Sequence, residues 1–242
     1  MTSKRQEQEI EHGRRIVAYA EEVWNRDSLA GRRRLDRRFE DLQRFLAVSE
    51  GETLLELGCG TGLWTKRLAA LPIRIVAVEL SPDLVARARR EVQNPRVEFL
   101  EGDAERLPHP DQSFRFVCGL SVLHHLDIER TLREVWRVLQ PGGRVWFSEP
   151  NMLNPQILVQ KNIPPIKRWA GDTPGETAFF RWPLRRKMRA AGFSFVDVQP
   201  FDFLHPALPD PWVETVEKFA LRLERLPGMR EIAGSLLIHA VK

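Results

Sequence analysis

Leu54-Leu55-Glu56-Leu57-Gly58-Cys59-Gly60-Thr61-Gly62 is the stretch that sets the fold class of this 242-residue chain. An apolar run ends on an acid and breaks into three glycines spaced G-x-G-x-G, and a helical pattern follows from about 62 to 70. A short apolar run, a glycine turn and an amphipathic segment make the strand–turn–helix opening of a βαβ unit. Glycines at such a bend let the backbone turn sharply and let a ligand approach main chain with no Cβ in the way. In open α/β sheets ligands bind at this carboxyl edge, beside the point where the strand order reverses.

The same alternation continues downstream. Residues 53–57, 73–78, 97–100, 114–120, 144–148, 193–198 and 235–241 read as seven strands. Ser81-Pro82 opens a helix, with Ser as N-cap and Pro at the first helical position. Asp127 caps another, whose stripe is Leu132, Val135, Trp136 and Leu139 and which Pro141-Gly142-Gly143 ends. Pro183 opens a basic helix that stops at Gly192, and a further helix is expected over 212–226. Upstream, residues 5–48 read as two helices separated by Gly31, with stripes Ile16, Val17, Ala20, Val23, Trp24 and Leu35, Phe39, Leu42, Phe45, Leu46. The expected architecture is α/β: a Rossmann-like, seven-stranded, mostly parallel sheet with helices on both faces. An N-terminal helical cap, residues 1–50, forms one compact unit with the domain 51–242. Two irregular stretches, 150–181 and 200–234, are read as insertions near the substrate side.

Composition narrows the class. With 43% hydrophobic and 29% charged residues, the chain suits one domain with a sizeable core and a well-solvated surface. The net charge of +4 is mildly basic. A nucleic-acid binder concentrates charge in a patch or stripe; here the only dense runs, 32–38 and 185–187, also fit outer helix faces, so nucleic acid is a minor expectation. Cys59 and Cys118 make neither a disulfide framework nor a metal site, so no metal is expected. Met1-Thr2-Ser3-Lys4-Arg5-Gln6 runs into charge, and no apolar run reaches the ~20 residues that span a bilayer; a cytoplasmic, reducing setting is expected. The oligomeric state is left open.

The ligand of the glycine turn can be narrowed from its neighbours. The dinucleotide fingerprint is G-x-G-x-x-G, and counted from Gly58 its last glycine falls on Leu63. Glu56, just before the turn, would repel a pyrophosphate and suits a cation. S-adenosyl-L-methionine is such a ligand, with its α-amino group and sulfonium. Glu79 ends the second strand about 20 residues beyond the turn, where an acid can accept both hydroxyls of a ribose. Gly102-Asp103-Ala104 follows the third strand, and its carboxylate can hydrogen-bond an adenine amino group. Taken singly, Glu56 and Glu79 can be solvated strand-end acids, and Asp103 can cap the following turn.

Together with Ser121-Val122-Leu123-His124-His125 and Leu139-Gln140-Pro141-Gly142-Gly143, these residues resemble the class I S-adenosylmethionine-dependent methyltransferases, especially the ubiquinone/menaquinone-biosynthesis-type group with its type 11 domain. The resemblance spans roughly 53 to 151. It implies S-adenosyl-L-methionine as cofactor and S-adenosyl-L-homocysteine as product. It implies that Glu56, Gly58, Gly60 and Gly62 hold the methionine part, with Cys59 inside the turn as a small buried side chain. It further implies that Glu79 holds the ribose with Leu80 beside the adenine, that Asp103 holds the base with Ala104 adjacent, and that Leu120 lines the methyl-donor pocket. Two departures leave the cofactor edge intact: Phe114-Arg115 stands where the family often has Phe-Asp, and His109 replaces a common aromatic. Cys118-Gly119-Leu120-Ser121 replaces the Asn/Asp-Pro-Pro-aromatic motif of the amino-group enzymes, which favours a small-molecule O- or C-acceptor.

Methyl transfer from a sulfonium is a displacement at carbon with a neutral leaving group. Holding nucleophile, methyl and sulfur in line is worth ~7–11 kcal/mol, and a hydroxyl nucleophile would also gain from a general base. Candidate bases are His124 and His125 after the fourth strand and Glu149 after the fifth, where Asn151 also faces the substrate side; in the resembling family the His pair often only shapes its loop. His205 could reach over the site, or simply occupy a turn before Pro206. Phe179, Phe180, Trp169, Trp182, Phe201, Phe203 and Trp212 can line an acceptor site or pack the insertions. Trp24, Arg33, Arg34 and Arg38 can close the site, and arginines there can bind a carboxylate or phosphate; they equally fit a solvated helix face. The competing readings are an RNA methyltransferase, a nicotinamide-dependent oxidoreductase, and a cofactor-binding partner protein without activity.

Overall fold

Ser3 opens the first helix of the computed structural model, which describes residues 3–24 and 27–242, and of Val23 only the backbone. The Ser3 side chain accepts from Gln6 N while Gln6 reaches back, a capping box that starts α1 (Lys4–Ile16). A single turn, α2 (Ala20–Val23), follows. Ser28 caps α3 (Leu29–Leu46), its hydroxyl accepting from Gly31 N (2.9 Å). The two expected helices are therefore three, and Gly31 lies in the first turn of α3 rather than between helices: the serine cap sets the start. Of the expected first stripe, Ile16 and Ala20 are buried and Trp24 is half-buried; the Val23 side chain lies outside the described residues.

The strands and helices then alternate: β1 (Thr53–Leu57), α4 (Leu63–Leu68), β2 (Arg74–Glu79), α5 (Pro82–Glu91), β3 (Val97–Glu101) and β4 (Phe114–Leu120). A 3-10 turn at Leu123–His125 leads to α6 (Ile128–Val138), whose N-cap Asp127 accepts from Glu129 N and Arg130 N. β5 (Leu139–Pro150) starts before the Pro-Gly-Gly turn expected to separate helix from strand. Leu139 already pairs with Phe114, and the register slips before Phe116 meets Arg144. The glycines are a kink within the strand: a Cβ on Gly143 would sit 2.8–2.9 Å from the carbonyls of Gln140 and Arg115.

The first irregular stretch holds two short proline-opened helices, α7 (Pro155–Asn162) and α8 (Pro164–Trp169). α9 (Arg181–Ala190) starts two residues before Pro183, because a proline is tolerated in a helix's first turn. β6 (Phe195–Phe201), α10 (Asp210–Leu223), α11 (Pro227–Arg230) and β7 (Ser235–Val241) complete the chain.

The seven strands run in the order β3-β2-β1-β4-β5-β7-β6, all parallel except β7, which is antiparallel to both neighbours. The order reverses between β1 and β4, the expected place for a ligand. Because β7 is inverted, its first residue, Ser235, lies at the same edge as the ends of β1 to β5. Two cores flank the sheet. On one face Leu132, Val135 and Val138 of α6 and Leu184 and Met188 of α9 pack against the strands. On the other, Leu35, Leu42 and Leu46 of α3 join Trp64 and Leu68 of α4 and Val85 and Ala88 of α5. α3 is tied to the sheet by polar contacts too: Asp41 accepts from Trp146 Nε1 (2.9 Å) and His239 Nε2 (2.7 Å). Among the described residues, no helix is long and apolar enough to cross a membrane.

Candidate active site

One cavity of about 460 Å³ runs along the carboxyl edge of the sheet, covered by α1, Trp24 and α3 and closed on a further side by α7 and residues 170–176. It begins at the glycine turn. Gly58 N and Cys59 N both donate to Val78 O (2.8 and 3.2 Å), which pins the bend to β2. Gly58 and Gly60 have φ of 66° and 55°, and a Cβ on Gly58 would collide with the Val122 side chain. Gly62 serves packing instead. It starts α4 with φ 85°, and a Cβ there would lie 3.1–3.2 Å from Ala88 of α5 and from Val92 just after it.

Glu79 joins the turns that follow β1 and β2. Its Oε2 accepts from Gly60 N and its Oε1 from Ser81 N, both at 3.0 Å. Burial raises its pKa, opposed by the N–H groups of Ser81, Gly60 and Leu80. A carboxylate offers roughly four acceptor positions, so capacity remains for hydroxyls arriving from the cavity. Asp103 accepts from Glu105 N (2.8 Å) and from the Gln6 amide of α1 (2.7 Å). Burial raises its pKa too, with the Gln6 hydrogen bond and the Arg5 charge opposing. Arg5 pairs with Glu105, and the Trp24 ring lies 3.2 Å from where a Cβ on Gly60 would be. A bare-backbone turn, a buried strand-end carboxylate and a second acid one strand away fit an adenosyl ligand with a cationic amino-acid arm.

Among the residues singled out from the sequence, Gly58, Gly60, Glu79, Leu80, Asp103, Ala104, Leu120, His124 and His125 all line this cavity. Glu56, Cys59 and Gly62 lie behind its wall. Burial, and then the charges of Glu56 and Glu79, push the Cys59 thiol well above its ordinary value, so it is no nucleophile.

Glu149 was expected at the substrate side, but it is 1% exposed and does not reach the cavity. Its Oε1 accepts from Val122 N (3.0 Å) and Leu123 N (2.9 Å), and its Oε2 from His124 Nδ1 (2.6 Å). A strand-end acid under a tight turn is drawn onto the turn's own N–H groups. His124 Nε2 lies 3.5 Å from Glu176, which also meets the Lys161 ammonium and accepts from Thr173 N (3.1 Å); Lys161 also pairs with Asp172 (2.9 Å). Burial disfavours a charged His124 ring, but the hydrogen bonds and charges of Glu149 and Glu176 outweigh it and push its pKa up to about 9. His125 is different: partly exposed, with Nδ1 3.1 Å from Glu9 of α1, its ring centred 4.2 Å from that of His124. Ligand atoms of His124, His125 and Glu176 lie within 4.8 Å of one another. Lys161 and His124 already face the carboxylate that an ion would need.

The opposite end is basic. Arg38, 4% exposed, donates to Ser148 Oγ (3.0 Å), Asp202 Oδ2 (2.7 Å) and Ser235 Oγ (2.7 Å). Burial lowers its pKa to about 10, with Asp202 opposing. Arg34 also lines the cavity, whereas Arg33 is exposed. The insertion aromatics do not line it. Trp169, Trp182, Trp212 and Phe180 are exposed, Phe179 packs on the core, and Phe201 lies under the Arg37 guanidinium (4.4 Å). Asn151 is buried, with its amide donating to Glu231 O and Ala233 O, and His205 is exposed, accepting from Ala207 N (3.2 Å). Sequence reading missed Glu9, Lys161, Asp172, Glu176 and Asp202. One signal was available: residues 5, 6, 9, 12, 13 and 16 form a stripe of helical period on α1, passed over because it is polar.

A family described as "Methyltransferase domain" matches residues 55–147. The demethylmenaquinone methyltransferase of Chlorobaculum tepidum is 36% identical over 119 residues, covering 47% of this chain and 48% of that protein. The protein of the same description from Clavibacter sepedonicus is 31% identical over 172 residues, 64% of this chain and 70% of that one. The chain spans about half the length of the first curated relatives it matches. The crystal structure of an S-adenosylmethionine-dependent methyltransferase from Mesorhizobium loti superposes with a TM-score of 0.64 at 22% identity, covering 86% of this chain and 100% of that one, a likeness of fold. The glycine turn, the acids at successive strand ends and these similarities converge: the chain belongs to the methyltransferase-domain family.

Proposed function

We propose that this protein transfers a methyl group from S-adenosyl-L-methionine to a small-molecule acceptor through an oxygen or carbon nucleophile, leaving S-adenosyl-L-homocysteine. The observation that carries this reading is one cavity holding Gly58, Gly60, Glu79 and Asp103 at one end and the paired histidines beyond β4. When bound, the donor supplies an electrophilic methyl on a sulfonium. Glu79 accepts the ribose hydroxyls, Asp103 the adenine amino group, and the bare backbone at Gly58 and Gly60 admits the amino-acid arm. Glu56, Cys59 and Gly62 support this turn from behind. Leu120, 7% exposed at the tip of β4, keeps water from the transferring methyl.

Proton removal falls to His125 rather than His124. His124 holds its proton at neutral pH between two carboxylates, whereas His125 is partly exposed and lines the cavity, with Nδ1 3.1 Å from Glu9. His124 and Glu149 are positioning residues that fix the 3-10 turn carrying His125. The small-molecule acceptor is supported by relatives named demethylmenaquinone methyltransferases. The cap and the sheet work as one unit through the buried Arg38 contacts, and two free, buried cysteines suit a cytoplasmic setting.

Calorimetric titration with S-adenosyl-L-homocysteine and with NAD(P) tests the donor: the first should bind, and binding of NAD(P) alone would overturn the reading. A filter-binding assay on RNA across a salt series tests the acceptor class. Tight, steeply salt-dependent binding would favour an RNA substrate instead.

A further inference from the structure

The cavity is electrically polarised along the sheet edge. Its β3–β2 end carries Asp103 and Glu79; its other end, past β5, carries Arg34 and Arg38 of α3 beside Ser235 of β7. There, three guanidiniums meet two carboxylates. Arg37 is held by both oxygens of Glu224 (3.1 and 2.6 Å) and turned out of the cavity. Arg38 is fully engaged by Asp202, Ser148 and Ser235. Arg34 meets Asp202 Oδ2 through Nε (2.8 Å); among the described residues, its Nη1 and Nη2 make no hydrogen bond. Arg37 is also under the charge of Glu217, so its own charge is met outside the cavity. Across the cavity the single Lys161 ammonium is shared by Asp172 and Glu176, and His124 also faces Glu176.

Asp202 sets this arrangement. It is buried, with φ 72°, and its backbone carbonyl accepts from Gly234 N (2.8 Å) while its Oδ1 accepts from Leu204 N (3.0 Å). It grips Arg34 through Nε, and Arg34 itself lines the cavity; the terminal fork is the part of a guanidinium that pairs two-pronged with a carboxylate.

We propose that the methyl acceptor is an anion, a small carboxylic acid whose carboxylate docks on the free fork of Arg34 while its nucleophilic atom lies toward His125. This rests on the methyl-transfer reading. The donor's own carboxylate is a second source of the same chemistry, but geometry separates the two. The donor's amino-acid arm belongs at the glycine turn of β1, and β7 is three strand positions away, roughly 14 Å at about 4.8 Å per strand.

The experiment uses the full-length protein saturated with S-adenosyl-L-homocysteine and titrated with matched acid and amide pairs: benzoate and benzamide, 4-hydroxybenzoate and 4-hydroxybenzamide, hexanoate and hexanamide. Ligand-observed NMR gives the apparent Kd. At least one acid should bind tenfold or more tighter than its amide, and Arg34→Gln should abolish that preference while the Kd for S-adenosyl-L-homocysteine stays within twofold. Equal binding of acids and amides by the wild type overturns the proposal without recourse to any variant. A fall in S-adenosyl-L-homocysteine affinity in Arg34→Gln, with the acid preference intact, assigns the fork to the donor and also overturns it. Failure of S-adenosyl-L-homocysteine to bind the wild type refutes the methyl-transfer reading itself.

Discussion

Glu79 and His124 are both shifted toward the protonated form, for different physical reasons. Glu79 is a lone acid among N–H donors, and burial shifts its pKa upward. Glu79→Ala removes the acceptor proposed for two ribose hydroxyls. At about 1.5–3 kcal/mol per hydrogen bond to a charged group, S-adenosyl-L-homocysteine affinity should drop roughly 100-fold or more by calorimetry; unchanged affinity refutes the cofactor map. His124 is raised from 6.5 to about 9 by Glu149 and Glu176 despite its burial. Its bonds therefore contribute fully below about pH 6.5 and lose their contribution as pH climbs through about 9. Replacing it with Gln leaves buried carboxylates short of a cation, which costs about 3–5 kcal/mol. Urea midpoints should show the largest gap between wild type and His124→Gln near pH 6, shrinking above pH 9. A gap that does not change with pH would mean the ring is neutral in the fold.

At the level of elements, the cap is held over the site by small residues and short polar contacts. Gly13 of α1 rests on α5 so closely that a Cβ would lie 2.6 Å from Ser81 Oγ and 2.8 Å from its Cβ. The same approach brings Gln6 to Asp103 and Arg5 to Glu105. Gly13→Val should lift α1, at about 1–3 kcal/mol for overpacking, or a few degrees of Tm. Hydrogen exchange should quicken across Lys4–Ile16 while β1 and β4 keep their protection. Uniform loss of protection across the sheet would show that α1 is integral to the core and not a cover.

Across the whole molecule, the buried Arg38 ties α3 to β5, β7 and the loop after β6, so that cap and sheet respond together. A ligand that binds only the folded state at 100 times its Kd adds about 2.7 kcal/mol. For a domain of this size that is roughly 5–11 °C of Tm. S-adenosyl-L-homocysteine should produce such a shift in differential scanning fluorimetry, with one transition before and after addition. Two separate transitions would show that cap and sheet unfold independently.

The periodicity of the chain determined the sheet, because a strand's apolar run and a helix's stripe are local consequences of burying one face. Leu54 to Leu57, the bend at Gly58 and Gly60 and the acids Glu79 and Asp103 were legible for the same reason: each sits at a strand end, where neighbours in sequence are neighbours in the site. Tertiary structure decided whatever depended on partners far along the chain. It turned Glu149 away from the cavity onto the N–H groups of Val122 and Leu123. It set Glu9 against His125 and Glu176 against His124, across separations that no spacing rule reaches. It also placed Asp202 beside three arginines of α3, more than 160 positions away in sequence. Charge pairing is long-range in sequence and short-range in space, so the polarity of the cavity exists only once the chain has closed around it.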